Sequence, residues 1–279
     1  MKGRARSKIN RILDQPDYQA FLYDEVAKRL DDRLEGVLVN PRVVMASGFG
    51  NHRLKERFNS IENILTFDFA HSRLLRRPKK SGFRLPWQPQ QTNICGDLSG
   101  LPLASQSVDL VYSNLDLPFF FECGELVKAL EEVFRILRPG GLFIFSSFGP
   151  DTVKEINLLE SSSHFRICDH LDMHDLGDQL MGALFSDPVM EMENLELTYR
   201  NPLALLRDVK AHGSVVSARL EKLGLTGKDV LSSLTQQFER ADGCRLSLTA
   251  ELVFGHAWRA PLKKSPKGRK VVEIKVQSG

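Results

Sequence analysis

Short apolar runs alternate with helical or polar segments through the first half of the chain, and this alternation restricts the fold more than any other feature. The runs lie at 42–46, 64–69, 92–95, 108–113 and 142–148. Strands separated by helices pair in parallel, because each right-handed crossover carries its helix over one face of the sheet. The run 108–113 is almost continuously apolar, as expected of a strand buried on both faces. The sequence therefore predicts a doubly wound α/β sheet.

Segments outside these five runs extend the predicted sheet and cover it. Residues 188–199 and 247–258 alternate apolar with polar side chains, which predicts an antiparallel pair that completes a mostly parallel, seven-stranded sheet. Apolar residues recur at helical spacing over 17–34 and 124–137, and Pro139 ends the second of these helices. The expected organisation is an N-terminal helical region (1–40), an α/β domain (41–260) with helical inserts near 150–185 and 201–240, and a basic tail (261–279).

Composition excludes several classes of protein. Of the 279 residues, 42% are hydrophobic and 26% are charged, the balance of a globular chain that buries a core. The net charge of +3 is too small for a nucleic-acid-binding polycation. No apolar run reaches the roughly 18 residues needed to cross a membrane. The four cysteines are scattered, without metal-ligand or disulfide spacing. We therefore expect a cytoplasmic protein that holds no metal ion and binds neither nucleic acid nor membrane.

Positive charge is concentrated in three clusters. They comprise residues 4–8, 76–80 and 263–270. A solvated surface is the simpler interpretation of each cluster. Docking of an acidic partner is the alternative, and it gains weight if two of the clusters meet in space.

A glycine-containing turn follows the first predicted strand. It reads Ser47-Gly48-Phe49-Gly50, and glycine at such a turn lets the backbone approach a ligand next to the unpaired N–H groups of a helix N terminus. Asp68 lies 18 residues after Gly50, at the end of the second predicted strand. That spacing suits a carboxylate that accepts hydrogen bonds from ribose hydroxyls. A helix cap is the alternative interpretation of Asp68.

Another carboxylate stands at the end of the third predicted strand. Asp97 is placed to accept a hydrogen bond from the exocyclic amine of an adenine, although Gly96-Asp97 is also a favourable turn. Ligands of open α/β sheets bind in the crevice outside the carboxyl ends of the strands. Three such features at successive strand ends therefore predict a nucleotide-type site at that edge of the sheet.

Together with two further segments, these features resemble the class I S-adenosyl-L-methionine (SAM) methyltransferases. The further segments are 101–115 and Arg138-Pro139-Gly140-Gly141. Later motifs are similar to those of the malonyl-acyl-carrier-protein O-methyltransferases of biotin synthesis. These later motifs are residues 145–152, 172–178, 197–200, 224–227 and 255–258.

The resemblance implies a fold, a cofactor, a substrate and a set of site residues. The fold is the class I sheet with an N-terminal lid helix, and the cofactor is SAM. The activity is methyl transfer to the free carboxylate of malonyl on acyl carrier protein, an acidic partner. That carboxylate is ionised at neutral pH, so no general base is required. The implied site residues are Ala46, Ser47, Gly48, Gly50, Asp68, Asp97, Leu98 and Asn114 for the cofactor, and Tyr18 for substrate positioning.

Two positions of the first strand depart from the family pattern. The family carries an acidic residue and a glycine where this chain has Val44 and Ala46. Loss of the acid removes a partner for the methionine end of SAM, and the methyl group of Ala46 crowds a close backbone approach. We expect binding that is weakened but not abolished, with the adenosine half recognised better. The double change Val44→Asp with Ala46→Gly is expected to tighten it.

These departures keep two alternatives open. One is a non-catalytic relative that uses the fold for binding or assembly. The other is a different reaction on the same fold, because residues 16–34 also resemble mitochondrial complex I assembly factors described as arginine hydroxylases. The later motifs favour the methyltransferase, whereas Val44 and Ala46 favour the non-catalytic relative.

Several other polar and aromatic groups have simple structural interpretations. Asp172 beside His174 is better explained as a helix cap than as a metal ligand. Tyr23 on the first helix can close over the cofactor or pack in the core. The aromatic run 119–121 can line an acyl channel, but core packing is the default. His256 lies on an alternating strand and is expected to be structural.

Overall fold

One seven-stranded sheet forms the centre of the structure. The structure is a computed structural model, and it describes residues 21–48, 54–69, 74, 89–121, 125–157, 170–211 and 246–260. The strands are β1 (Val43–Gly48), β2 (Asn63–Asp68), β3 (Gln90–Cys95), β4 (Val108–Asn114), β5 (Leu137–Phe148), β6 (Ser186–Tyr199) and β7 (Leu246–Trp258). Their order is β3-β2-β1-β4-β5-β7-β6. Strands β1 to β5 pair in parallel, and β7 runs antiparallel to both β5 and β6. The predicted mostly parallel α/β sheet, with its antiparallel closing pair, is confirmed.

Helices cover both faces of this sheet. Those within the described residues are α1 (Phe21–Asp32), α2 (Leu54–Arg57), α3 (Pro118–Phe121), α4 (Leu126–Ile136), α5 (Lys154–Asn157), α6 (Met173–Gly182) and α7 (Pro202–Ala211). None of them is long and apolar enough to span a lipid bilayer. The start of the predicted first helix, most of the second insert, the basic tail and all three basic clusters lie outside the described residues.

Two helix ends show how local sequence sets the boundaries. Helix α4 stops at Ile136 because Leu137 takes an extended conformation and pairs with Val108. The segment from Pro139 to Gly141 therefore opens β5, where the sequence predicted only a helix stop. Helix α6 begins after Asp172, whose carboxylate accepts a hydrogen bond from the His174 N–H at 2.8 Å. The predicted cap is confirmed.

The two faces of the sheet carry separate cores. On one face, α1 buries an apolar stripe against β1, β4 and β5; this core includes Leu22, Tyr23, Val26, Leu30, Val44, Ala46, Tyr112 and Ile144. On the other face, α4 and α6 cover Met45, Phe67, Val111, Phe143 and Phe145. The alternation of side chains along each strand produces this division. Tyr23 is fully buried, as packing in the core requires.

Ion pairs also connect helix α1 to β6, the edge strand of the sheet. Arg29 pairs with Glu193, and Arg33 contacts both Glu193, at 3.3 Å, and Glu191, at 2.9 Å. The Arg33 guanidinium stacks 3.7 Å from the centroid of the Phe254 ring. Single ion pairs at a surface stabilise little, but a network that shares Glu193 and covers an aromatic ring holds the helix in one orientation.

Candidate functional site

The carboxyl ends of the parallel strands line one edge of the sheet. In register, Gly48 of β1 lies beside Asn114 of β4, and Asn114 lies beside Ser146 of β5. On the other side of β1, Asp68 of β2 lies beside Cys95 of β3. Residues that are far apart in sequence therefore meet at this edge, where the sequence predicted a site.

Gly48, the last residue of β1, meets two conditions that only glycine satisfies. Its φ is +78°, a left-handed conformation that side chains disfavour. A Cβ atom at this position would also overlap the carbonyl oxygen of Asn114. The end of β1 therefore needs the glycine that the sequence places there. Phe49 and Gly50 of the same turn lie outside the described residues.

Asp68 ends β2 as a buried carboxylate, with 2% of its surface exposed. The backbone carbonyl oxygen of Asp68 accepts a hydrogen bond from the Gly96 N–H at 3.1 Å, and this bond joins the ends of β2 and β3. The next residue, Phe69, packs edge-on against Phe119 of α3, with ring centroids 5.0 Å apart. A buried acidic residue at this edge is thus followed directly by an aromatic residue that packs against α3.

Asp97 and Leu98 follow β3 at the same edge. The Asp97 carboxylate accepts hydrogen bonds from the N–H of Ser99, at 3.0 Å, and from its hydroxyl, at 2.8 Å. These bonds close a turn, which is the structural role that the sequence offered as the alternative. Leu98 is 3% exposed and belongs to the core on the α4 face.

The tips of β4 and β5 are joined to helix α1 by buried hydrogen bonds. The Asn114 amide donates to the carbonyl of Tyr23 at 2.9 Å, and its oxygen accepts from the Ser146 hydroxyl at 2.8 Å. Asn114 and Ser146 are both fully buried. The side chain of Asn114 therefore connects β4, β5 and α1 at this edge of the sheet.

Two buried hydroxyls lie next to each other near this edge. Ser47 of β1 is in register with Ser113 of β4, and both are at most 1% exposed. Within the described part of the chain, neither hydroxyl has a hydrogen-bond partner. Buried hydroxyls without a hydrogen-bond partner are costly, so this pair near two strand ends is an exception to the usual pairing of buried polar groups.

Val44 and Ala46, which depart from the family pattern, have an evident structural use. Both are fully buried in the core beneath α1. Ala46 is in register with Tyr112, whose hydroxyl donates to the carbonyl of Ala27 at 3.1 Å. The first strand therefore contributes apolar packing under α1 at the positions where the family carries an acid and a glycine.

Comparison with known proteins agrees with this geometry. A family model described as a methyltransferase domain matches residues 45–145. A malonyl-acyl-carrier-protein O-methyltransferase of Methylovorus sp. (strain MP688) is 34% identical over 268 residues, which cover 92% of this chain and 89% of the relative. The protein of that name from Gallionella capsiferriformans (strain ES-2) is 33% identical, over 98% of this chain and 96% of the relative.

This chain belongs to the malonyl-acyl-carrier-protein O-methyltransferase family.

Membership of this family makes the chain a transferase of the class I type, with SAM as its cofactor. The fold agrees with that of a solved structure, the YcgJ protein of Bacillus subtilis. It superposes with a TM-score of 0.52 at 14% identity, covering 84% of this chain and 98% of that one. At this identity the likeness concerns the fold alone.

Most of the site residues predicted for this methyltransferase gather at one edge. Ala46, Ser47, Gly48, Asp68, Asp97, Leu98 and Asn114 lie at or next to the carboxyl ends of β1 to β4. Gly50 and Tyr18 lie outside the described residues. The sequence did not single out Phe69 or Ser146. A signal existed for each, because Phe69 directly follows Asp68 and Ser146 falls within the motif 145–152.

Proposed function

We propose that this methyltransferase transfers a methyl group from SAM to the free carboxylate of malonyl carried on acyl carrier protein, a cytoplasmic step in biotin precursor synthesis. The observation that carries the proposal is the extent of the similarity. The general methyltransferase domain matches only residues 45–145, whereas the relatives named for this activity match 92% and 98% of the chain. The shared sequence thus includes segments after β5, outside the part common to methyltransferases in general.

The described residues fit the adenosine part of SAM. Gly48 has no side chain to keep a ligand away from its backbone, and its contact with Asn114 fixes the end of β1. Asp68 offers a carboxylate at the end of β2, where ribose hydroxyls are recognised in sheets of this class. Phe69, the next residue, packs against Phe119 of α3 and adds an apolar surface at this edge of the sheet. We assign Asp68 to the ribose, and Gly48, Ser47, Asp97, Leu98 and Asn114 to the lining of the same crevice.

The methionine part of SAM has fewer partners in this chain. Val44 provides no hydrogen bond, and both Val44 and Ala46 are enclosed by the core beneath α1. The buried hydroxyls of Ser47 and Ser113, close to Gly48, are the polar groups that can compensate in part. We therefore infer weakened binding in which the adenosine half contributes most of the affinity. We assign Gly50, like Gly48, to the lining of the cofactor crevice.

The chemistry places modest demands on the protein. SAM supplies a methyl group on a positively charged sulfur, ready for in-line displacement. The malonyl carboxylate is already ionised at neutral pH, so no residue has to remove a proton. What the chain contributes is alignment of the two reactants and exclusion of water. A buried strand edge covered by α1 suits both tasks, and Tyr18, just before α1, is assigned to hold the substrate.

The alternative functions have less support. The relatives that match nearly the whole chain are named as methyltransferases, which favours catalysis over a binding or assembly role. The same names favour methyl transfer over arginine hydroxylation. Val44 and Ala46 remain the one observation in favour of a non-catalytic relative, and their packing beneath α1 gives them a structural reason.

Incubation of the purified chain with SAM and malonyl-acyl carrier protein tests the proposal. Mass spectrometry should show the carrier gaining one methyl group. Acetyl-acyl carrier protein, which has no free carboxylate, is the matched control and should remain unchanged. Malonate free of the carrier should react far more slowly, because docking of the carrier is part of recognition. An unmodified malonyl carrier, under conditions where SAM binds, would contradict the assigned substrate.

A further inference from the structure

The chain makes an unusual turn directly after β4. Leu115 has a φ of +56°, although it is not glycine, and its side chain is fully buried. Non-glycine residues persist in the left-handed region only where the surrounding structure enforces it, and such residues cluster at active sites. The turn follows Asn114, which lies against Gly48 at the predicted cofactor crevice. Something must therefore hold Leu115 in place at this edge.

Ser146 of β5 provides that restraint. The N–H of Leu115 donates to the Ser146 hydroxyl at 3.0 Å and to the Ser146 carbonyl at 3.2 Å. The same hydroxyl donates to the side-chain oxygen of Asn114 at 2.8 Å. One hydroxyl thus fixes both the last residue of β4 and the turn that follows it. Because Ser146 is fully buried, bulk water has no ready access to replace these bonds.

The restraint extends to the glycine of the first strand. The Asn114 amide donates to the Tyr23 carbonyl of α1 at 2.9 Å, and the Asn114 carbonyl oxygen lies where a Cβ atom on Gly48 would collide with it. Contact this close means that a shift of the β4 tip changes the space at Gly48. The Ser146 hydroxyl therefore acts on the end of β1 from two strands away.

We propose that Ser146 is a positioning residue of the SAM site: its hydroxyl sets the tip of β4 against Gly48 and holds the left-handed turn at Leu115. The inference rests on the proposed function, because it assigns the crevice beside Gly48 to the cofactor. Ser146 touches no reacting atom in this role. Its removal loosens the strand tips, so the cofactor binds less tightly and is less well aligned.

The chain contains a matched control for this residue. Ser147 is the next residue of β5 and is equally buried, but its side chain points to the opposite face of the sheet. The hydrogen bond of its hydroxyl is to the Phe148 carbonyl, at 3.4 Å, the long limit for such a bond. Ser147→Ala removes the same atoms as Ser146→Ala from the same strand, without touching Asn114 or Leu115.

Calorimetric titration with S-adenosylhomocysteine, the demethylated product, tests the proposal without requiring any acyl substrate. Ser146→Ala should bind about tenfold more weakly than the natural protein, the change expected for the loss of one or two hydrogen bonds. Ser147→Ala should bind as the natural protein does. Ser146→Cys keeps a weak donor of similar size and should fall between Ser146→Ala and the natural protein. If Ser146→Ala does not fold, the Cys variant provides the comparison with Ser147→Ala.

Amide hydrogen exchange at Leu115 adds a readout that needs no ligand. Exchange should be faster in Ser146→Ala than in the natural protein, and unchanged in Ser147→Ala. Equal affinity in Ser146→Ala and the natural protein, or equal loss in both serine variants, would overturn the proposal. A protein that binds the product and shows these differences, but leaves malonyl-acyl carrier protein unmodified, would contradict only the assigned substrate.

Discussion

Gly48 and Asn114 stand side by side in register at the carboxyl ends of β1 and β4, with no room between them for a Cβ atom on Gly48. The same glycine has a φ of +78°. Space and backbone conformation thus impose the same residue at the end of β1. We propose that the cofactor crevice opens at these two strand ends.

Comparison of Gly48→Ala with Gly36→Ala separates the effect of the missing space from the effect of the positive φ. Gly36 also has a positive φ, +88°, but nothing lies within 4 Å of a Cβ built on it. Gly36→Ala should lower the free energy of unfolding by about 1–2 kcal/mol through backbone strain alone. Gly48→Ala should cost about 1–3 kcal/mol more, because the strand tips must move apart.

Urea denaturation measures both glycine variants, and SAM titration should show a loss of affinity in Gly48→Ala only. Equal stability of the two variants would mean that the β1 and β4 tips separate freely. The contact between Gly48 and Asn114 would then not determine the geometry of the two strand tips.

Asp68 is expected to contribute to cofactor affinity rather than to cap a helix. Asp68→Ala should weaken SAM binding about ten- to a hundredfold, because a charge-assisted hydrogen bond to the ribose is worth about 1.5–3 kcal/mol. Asp172→Ala is the control, since Asp172 caps α6 through the His174 N–H. It should lower stability by about 1 kcal/mol and leave SAM affinity unchanged. Unaltered affinity in Asp68→Ala would remove the ribose assignment.

The sheet was predictable from sequence because each strand is a short apolar run with its own boundary signals. All seven predicted strands were found, with ends displaced by a few residues. The start of β5 was missed because Pro139-Gly140-Gly141 reads as a stop, while pairing between Leu137 and Val108 overrides that local signal. Local sequence alone does not reveal pairing with a strand that lies about 30 residues earlier in the chain.

The site was predictable only in part, for a related reason. Gly48 and Asp68 each end a strand and Asp97 follows one, so the rule about strand ends predicted them as site residues. Ser146 was missed because its role depends on Asn114 and Leu115 of a neighbouring strand. The burial of Val44 beneath α1 also depends on tertiary packing, which sequence spacing does not reveal.

Restoring the family pattern at β1 should raise the affinity for SAM and lower the free energy of unfolding. Val44→Asp with Ala46→Gly should tighten SAM binding by supplying a partner for its methionine end. Val44 is fully buried, however, so a carboxylate there should lower the free energy of unfolding by about 2–4 kcal/mol. Titration and urea denaturation of the double variant measure the two effects. Weaker binding in the folded double variant would show that the β1 departures do not limit affinity.

Asp109 should make the stability of the sheet depend on pH. Burial raises the pKa of Asp109, but hydrogen bonds from the Val43 N–H, the Arg138 guanidinium and the Arg42 N–H outweigh it and hold that pKa below its ordinary value. The carboxylate joins the starts of β1 and β4 through two backbone bonds of 2.8 and 2.9 Å.

A lowered carboxylate pKa stabilises the fold fully above the unfolded value, near 4, and this stability is lost as the pH falls through the lower folded value. Asp109→Ala should therefore be less stable than the natural protein by about 2–4 kcal/mol at neutral pH. Urea denaturation at a series of pH values should show this difference shrinking below about pH 4. A difference that stays constant down to pH 2 would contradict the assigned ionisation.

Calorimetric titration of the natural protein with SAM tests most directly the claim that the carboxyl edge of this sheet is a cofactor site with a weakened methionine end. We expect saturable binding to one site, weaker than low micromolar, with adenosine alone retaining most of the binding free energy. Absence of binding at millimolar SAM would contradict the cofactor site. Binding at low micromolar SAM would instead contradict the weakening assigned to Val44 and Ala46.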